Sequence, residues 1–118
     1  MRLVYKILTS PQLEQLRGDG QTLGAPVDLA DGYVHLSARD QVRGTLTKWF
    51  RGQEGLWLLA VDVDALPAGA LRWEASRGGA LFPHLYAPLP LSAVSSASAL
   101  PLDADGVPEP GAEFPAGV

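Results

Sequence analysis

The sequence lacks cysteine altogether, which excludes a disulfide framework, a thiolate metal centre and a cysteine nucleophile. It also lacks any apolar run near the roughly 20 residues that a membrane-spanning helix needs. No long apolar stretch of the kind found in a signal peptide follows Met1. These absences predict a cytoplasmic protein that has no membrane partner and is stabilised by packing alone.

Positive charge is also scarce. Nine Lys and Arg residues face thirteen Asp and Glu residues, which gives a formal net charge of −4. Extended contact with a nucleic-acid backbone needs many cations, so the composition argues against such a partner. The excess of acids is confined to the end of the chain, because cations and acids balance over residues 1–102. The remaining part of the chain is compatible with a small anionic ligand.

The length of 118 residues suffices for one hydrophobic core and is too short for two. Residues 101–118 are rich in proline, glycine and acids, contain no Lys or Arg, and show no apolar period. We therefore expect a single folded domain over residues 1–100 and a disordered acidic tail over residues 101–118.

Apolar runs and turn signals predict two main helices and several strands. Strands are predicted over residues 3–8, 33–36, 56–63, 71–75, 82–86 and 89–95, with an irregular loop over residues 21–32. The first helix runs to about residue 17 after an N-cap at Ser10. The second covers residues 38–50 and begins with a capping box of Ser37 and Asp40. Early helices and late strands favour an α+β domain with mixed or antiparallel strands.

Both histidines of the chain lie in predicted strands. Because side chains alternate between the two faces of a strand, Tyr33, His35 and Ser37 share one face. His84 and Tyr86 share a face of a later strand in the same way. If the two strands are neighbours, these residues line a pocket of imidazole, phenol and hydroxyl groups, which is typical of small-molecule sites. The alternative is that each histidine is a hydrogen-bonded structural residue.

The helix that follows His35 suggests an anion site. A helix N-terminus offers unpaired backbone N–H groups and a partial positive charge. Arg39 and Arg43 lie one turn apart on the same face of this helix. The pattern predicts that a phosphate or carboxylate binds beside His35. The alternative is that these arginines are solvated cations on an ordinary amphipathic helix.

Glu74 is the candidate catalytic carboxylate, because the other acids of the predicted domain mostly lie in turns, caps or helix faces. The alternative is an ordinary surface glutamate on a strand. A metal-dependent hydrolase that uses His35, His84 and Glu74 is a further alternative. Their spacing matches no compact metal motif, so we predict no metal site.

Four short segments resemble the domain-of-unknown-function 952 family. These are Tyr5-Lys6-Ile7, Asp31-Gly32-Tyr33-Val34-His35-Leu36-Ser37, Trp73-Glu74 and Phe82-Pro83-His84-Leu85-Tyr86. The resemblance extends from residue 3 to about residue 95, with the order and spacing of the motifs intact. After the last motif the family commonly has glycine, whereas this chain has Ala87-Pro88, so the local turn is expected to differ.

The resemblance implies a small ADP-ribosyltransferase-like domain, because the fold of the family looks like that of the ADP-ribosyltransferase group. His35-Leu36-Ser37 is similar to the His-Leu-Ser segment of NAD-dependent RNA 2′-phosphotransferases, whose histidine helps to bind NAD. This similarity implies that His35 hydrogen-bonds a ribose hydroxyl and that Ser37 assists it.

The same resemblance implies roles for four further residues. Arg39 or Arg43 would meet phosphate, and Tyr86 would stack on nicotinamide. Glu74 would hold the acceptor or stabilise an oxocarbenium-like ribose as nicotinamide leaves. NAD is therefore the candidate cofactor.

Together these features predict a pocket that binds a nucleotide-like, phosphorylated small molecule. His35 and Glu74 are the catalytic candidates. The ligand-binding candidates are Tyr33, Ser37, Arg39, Arg43, His84 and Tyr86. The sharper form of the hypothesis is NAD-dependent transfer of an ADP-ribosyl or phosphoryl group. The alternative is a non-catalytic ligand-sensing or interaction module in which the histidines and Trp73-Glu74 are structural.

Overall fold

A computed structural model describes residues 2–115 of the chain. The strands are β1 (Leu3–Thr9), β2 (Gln21–Thr22), β3 (Val34–His35), β4 (Leu56–Asp62), β5 (Leu71–Ala75), β6 (Leu81–Leu85), β7 (Leu89–Pro90) and β8 (Val94–Leu100). The α-helices are α1 (Ser10–Asp19), α2 (Pro26–Asp31) and α3 (Val42–Trp49). Short 3-10 turns cover Arg39–Gln41, Val63–Ala65, Arg77–Gly79 and Leu91–Ala93. Within residues 2–115, no helix is long and apolar enough to cross a membrane.

The strands form three antiparallel sheets, in the orders β1-β4-β8, β3-β6-β5 and β2-β7. Strand β4 is central in the first sheet, as expected from its almost continuous apolar sequence. An isolated backbone bridge between Tyr5 and Ser37 links β1 to the segment after β3. The predicted α+β class is confirmed, and the strands, which the sequence left as mixed or antiparallel, are antiparallel.

The core lies on both faces of the β1-β4-β8 sheet, because β1 and β4 are buried on both sides. On one face α1 packs through Leu13 and Leu16 against Leu8 and Leu59. On the other face α3 contributes Val42 and Leu46 to a separate cluster. Burying each leucine contributes about 2 kcal/mol relative to leaving it exposed, so packing accounts for a stable domain without disulfides.

Helix α1 begins one residue earlier than the sequence predicts. Thr9 is the N-cap, and its Oγ1 accepts a hydrogen bond from the backbone N–H of Gln12 at 3.3 Å. The Gln12 side chain accepts one from the backbone N–H of Thr9 at 2.9 Å. The predicted N-cap at Ser10 is therefore wrong, because the glutamine three residues after Thr9 completes a reciprocal capping box.

The second predicted helix also starts differently. A 3-10 turn over Arg39–Gln41 precedes α3, and the Gln41 side chain accepts a hydrogen bond from the Ala38 backbone N–H at 2.9 Å. Ser37 instead pairs its backbone with Tyr5. The predicted capping box of Ser37 and Asp40 is therefore wrong, because a strand-like bridge holds Ser37 before the helical turn begins.

Residues 21–32, which the sequence predicts to be an irregular loop, contain β2 and α2. Helix α2 starts with Pro26 and ends at Asp31, and its C-cap Gly32 has a φ of 85°. Its six residues are too few to show a helical period in the sequence. At Gly24, with a φ of 94°, an added Cβ would lie 2.0 Å from a carboxylate oxygen of Asp28, so glycine is required there.

The last predicted strand, over residues 89–95, is divided in the structure. Strand β7 ends at Pro90, a 3-10 turn covers Leu91–Ala93, and β8 continues to Leu100. β8 completes the first sheet beside β4. The apolar pattern located a strand here, and the turn between the two parts carries no glycine that would have revealed it.

Residues 101–115 fold back onto the domain, which differs from the expected disordered tail. Phe114 is 7% exposed and meets Tyr5 edge-to-face, with ring centroids 5.0 Å apart. Arg39 and Arg43 donate hydrogen bonds to backbone carbonyl oxygens of the segment. A single aromatic residue among acids, prolines and glycines produces no period, so the sequence pattern does not reveal this contact. Residues 116–118 lie outside the described residues.

Candidate functional site

The site forms where β3 pairs with β6. The antiparallel register places His35 directly opposite His84. Residues that are opposed in this way project from the same face of a sheet. Their ring centroids are 5.5 Å apart and nearly perpendicular, at 67°. The two histidines of the chain therefore meet in one place, as the sequence analysis expected for neighbouring strands.

The ring of Tyr33 contacts three other rings of the site. Its ring is stacked on His84 with centroids 4.2 Å apart. It also lies 4.6 Å from the His35 centroid and 5.1 Å from the Tyr86 centroid. These four residues and Glu74 are called the histidine cluster below.

Glu74 reaches the cluster from β5, the neighbour of β6. Its Oε1 accepts hydrogen bonds from Tyr86 Oη at 2.7 Å and from His84 Nδ1 at 2.8 Å. The bond from Tyr86, followed by that from His84, lowers the pKa of Glu74 below its usual value. The same bond raises the pKa of Tyr86. Glu74 is therefore an oriented carboxylate rather than a solvated glutamate on a strand.

Asp28 of α2 is buried behind His35 and contacts it, although the sequence pattern did not identify this residue. It is 1% exposed, and its Oδ2 accepts hydrogen bonds from Lys6 Nζ at 2.8 Å and Ala25 N at 2.7 Å. Its Oδ1 lies 3.0 Å from the backbone N–H of His35 and 2.5 Å from ring Nδ1. Asp28 thus fixes both the backbone and the ring of His35.

Lys6 and Asp28 form a buried salt bridge, with Nζ 2.8 Å from Oδ2. Burial raises the pKa of Asp28, but the Lys6 ammonium and the hydrogen bonds from Lys6 and His35 outweigh it and leave that pKa below its usual value. For Lys6, burial lowers the pKa against the opposing effect of Asp28. Lys6 also donates to the His35 backbone carbonyl at 3.0 Å. Lys6 therefore connects strand β1 to His35, both directly and through Asp28.

The second ring nitrogen of His35 also meets a carboxylate. Nε2 lies 3.0 Å from Oδ2 of Asp31, the last residue of α2. The side chains of His35 and Asp31 are 32% and 45% exposed, so this contact lies at the surface. A carboxylate accepts hydrogen bonds but does not donate them. Both contacts of the His35 ring are therefore hydrogen bonds when both ring nitrogens carry a proton.

Three predicted site residues lie elsewhere. Ser37 Oγ is buried 3.3 Å from Thr45 Oγ1. Arg39 Nε donates to the Glu113 carbonyl at 2.8 Å. Arg43 donates to the carbonyls of Phe114 and Gly111, each at 2.5 Å, and pairs with Glu109 at 2.8 Å. The structure brings Tyr33, His35, Glu74, His84 and Tyr86 together, and it uses Arg39 and Arg43 to hold the tail.

Arg72 lies at the edge of the cluster and was missed by the sequence analysis. Its guanidinium carbon is 4.9 Å from the centre of the Tyr86 ring, and its Cα is paired with that of His84. Strand alternation is the signal that could have found it, because Arg72 stands two residues before Glu74. The signal for Lys6 is a lysine in the middle of an apolar strand, since a buried ammonium requires an acidic partner.

An open groove of about 280 Å³ borders the cluster through Tyr33 and Tyr86. Its wall also includes Asp28 and the exposed leucines Leu23 and Leu29. A second depression of about 370 Å³ shares both leucines. Among residues 2–115, no three His, Asp or Glu side chains are arranged to hold a metal ion. Aromatic and aliphatic side chains form most of the wall of the groove.

A family model described as "Protein of unknown function (DUF952)" matches residues 7–97. This range contains every member of the histidine cluster. No curated protein matches the sequence.

Two solved structures of the protein CC0527 from Caulobacter crescentus are similar to this chain. The X-ray structure is 53% identical, covers 91% of this chain and 93% of that chain, and gives a TM-score of 0.86. The solution NMR structure is 55% identical, covers 92% and 93% of the two chains, and gives a TM-score of 0.80. The descriptions of these structures name no ligand or activity.

Proposed function

The chain belongs to the DUF952 family, and we propose that it binds a nucleotide-like, phosphorylated small molecule at the histidine cluster. The observation that carries this proposal is the meeting of two imidazole–carboxylate pairs around the single ring of Tyr33, beside an open groove. Buried charged pairs are often less stabilising than apolar side chains of similar volume. The Lys6–Asp28 pair beneath His35 therefore supports a role beyond packing.

The aromatic rings would receive a base or another planar group. Tyr86 is 41% exposed and lines the groove together with Tyr33. Stacking of a base on an aromatic side chain is worth about 1–3 kcal/mol. Pockets for small molecules usually measure roughly 300–1,000 Å³. The groove of about 280 Å³ lies just below this range.

The polar groups around the rings would receive the sugar and the phosphate. Asp31 is half-exposed beside His35 and can accept hydrogen bonds from ribose hydroxyls. Arg72 presents a guanidinium against Tyr86, and guanidinium groups bind phosphate with paired N–H donors. Arg72 takes the phosphate role in this proposal because Arg39 and Arg43 bind the tail.

The finer hypothesis is an ADP-ribosyltransferase-like domain in the cytoplasm that transfers a group from NAD. What supports it is Glu74, whose pKa is lowered by Tyr86 and His84. A fixed carboxylate can stabilise the positive charge that develops on ribose as nicotinamide leaves. The residues fit the nicotinamide and ribose part of NAD, with Tyr86 available for stacking and Asp31 for hydroxyls.

Thermal unfolding with added ligand tests the proposed function. ADP-ribose and NAD should raise the melting temperature by an amount that grows with concentration, and inorganic phosphate should have little effect. A ligand at a hundredfold excess over its Kd stabilises the folded state by about 2.7 kcal/mol. No rise with either nucleotide would contradict the proposal.

Two variants and a control locate the site. Arg72→Gln and Tyr86→Ala should weaken the rise caused by ADP-ribose, because they remove the guanidinium and the exposed ring. Arg39→Gln is the matched control, because it removes a guanidinium that binds the tail. The control should keep the full ligand response. A purely structural cluster predicts instead that none of the three proteins responds to ADP-ribose.

A further inference from the structure

The two histidines of the cluster differ in what their ring nitrogens meet. In His35, Nδ1 faces Asp28 and Nε2 faces Asp31. In His84, Nδ1 faces Glu74, whereas Nε2 forms no hydrogen bond with any residue in the described part of the chain. A ring nitrogen is therefore available for a ligand in His84 and occupied at both positions in His35.

The Nε2 atom of His84 is not sealed in the core. The residue as a whole is only 3% exposed. Nevertheless, within residues 2–115 every fully buried side-chain nitrogen or oxygen atom has a hydrogen-bond partner. Because Nε2 has no such partner, it retains some accessible surface. The small exposed area of His84 limits contact to a group that approaches it directly.

Glu74 determines which nitrogen of His84 carries the proton. Hydrogen bonds from Tyr86 and His84 lower the pKa of Glu74, so it is a carboxylate at neutral pH and accepts hydrogen bonds. Nδ1 must then donate to Oε1 across the 2.8 Å contact. In the neutral imidazole the other nitrogen keeps its lone pair. Nε2 of His84 is therefore an acceptor that retains some accessible surface.

We propose that His84 Nε2 is the general base of this site and removes a proton from a hydroxyl group of the bound ligand. This inference rests on the proposed function, since the substrate class is a ribose-bearing, phosphorylated molecule with a free hydroxyl. Glu74 acts as a positioning residue through Nδ1, and the stacked Tyr33 ring fixes the plane of the imidazole.

The proposed step is one proton transfer. The O–H bond of the ligand breaks, its electron pair stays on oxygen, and the proton forms a bond with Nε2. The resulting imidazolium is balanced by the Glu74 carboxylate. Such general-base assistance contributes typically about 10²–10⁴-fold to a rate. Five charged or titratable groups face His84. Two lie on β5, Glu74 and Arg72. The others are His35 on β3, Tyr33 just before β3, and Tyr86 just after β6.

Long-range proton–nitrogen NMR spectra of the 15N-labelled full chain test the tautomer without any ligand. In spectra of the neutral imidazole, His84 should show a protonated Nδ1 and an unprotonated Nε2. The variant His35→Gln assigns the signals, because the chain has two histidines. A proton on Nε2 of His84 in the free protein would overturn the inference.

Acylation by diethyl pyrocarbonate measures the availability of the same nitrogen. The reagent attacks unprotonated imidazole, and no cysteine competes with it in this chain. Peptide mass spectrometry should show His84 modified at least tenfold faster than His35 in the folded protein. Both should react equally in urea, which is the matched control. Equal rates in the folded protein would contradict the inference.

Ligand protection links this base to the groove. ADP-ribose at a concentration that saturates the thermal response should slow the acylation of His84 at least fivefold. Unchanged acylation under saturation would show that Nε2 does not face the ligand, and the inference would fail while the proposed function stands. If ADP-ribose produces no thermal response, the proposed function fails whatever the tautomer of His84 is. The general base then has no substrate, and the inference fails as well.

Discussion

Two polar regions follow each other closely in the sequence and have different roles in the structure. In the histidine cluster, side chains pair with other side chains, and His35 and Tyr86 stay partly exposed. At the start of the next helix, Arg39 and Arg43 bind backbone carbonyl oxygens of residues 111–114, a contact called the tail clasp below. A basic helix start can become a ligand site only if the rest of the chain leaves it open.

Removing the charge beneath the cluster should have the largest effect on stability. Asp28→Asn leaves the Lys6 ammonium buried without its carboxylate partner. Breaking a buried pair in this way costs about 3–5 kcal/mol of unfolding free energy, measurable by urea denaturation. The matched control Asp31→Asn removes an exposed partner of the same histidine and should cost less than about 1 kcal/mol. Equal losses would show that the buried pair is not the support of the cluster.

The tail clasp should contribute the next largest effect. Phe114→Ala removes a buried ring that meets Tyr5 and belongs to the core beside α3. Truncation of a buried phenylalanine costs about 3–5 kcal/mol, and a position near the chain end favours the lower value. The control Leu81→Ala changes an exposed side chain and should stay within about 0.5 kcal/mol. A loss below about 1 kcal/mol for Phe114→Ala would contradict a tail that is part of the fold.

A smaller effect is expected in the acid dependence of stability, which depends on Asp28 beneath the histidine cluster. The pKa of Asp28 is lower in the folded state than its ordinary value of about 3.9, so its contribution is complete above that value. The contribution is lost as the pH falls through the folded-state pKa. Urea denaturation between about pH 5 and pH 2 should therefore show a steeper fall for the native chain than for Asp28→Asn. Parallel curves for the two proteins would contradict the lowered pKa.

Periodicity predicted four members of the histidine cluster, all except Glu74, from short segments. Alternation along the strands placed Tyr33 with His35 and His84 with Tyr86, and antiparallel pairing then brought the two segments together. The α+β class was predictable for the same reason, because strand patterns are local. Alternation does not predict which strands are neighbours. The pairing of β5 with β6 is what places Glu74 against His84.

The parts that the sequence analysis missed depend on contacts between distant residues. Lys6 and Asp28 make sense only together, and they are 22 positions apart. Arg39 and Arg43 have the spacing of an anion site, but their partners lie about 70 residues later in an acidic segment without a period. A charge pattern on one helix gives no information about which distant backbone segment will occupy it.

The central claim is that the histidine cluster, and not the tail clasp, receives the ligand. Amide and imidazole NMR shifts of the 15N-labelled chain, recorded while ADP-ribose is added, test it most directly. We expect saturable shifts at Tyr33, His35, Glu74, His84 and Tyr86, with little change at Arg39 and Arg43. Shifts confined to Arg39, Arg43 and residues 111–114, or no shifts at all, would contradict it.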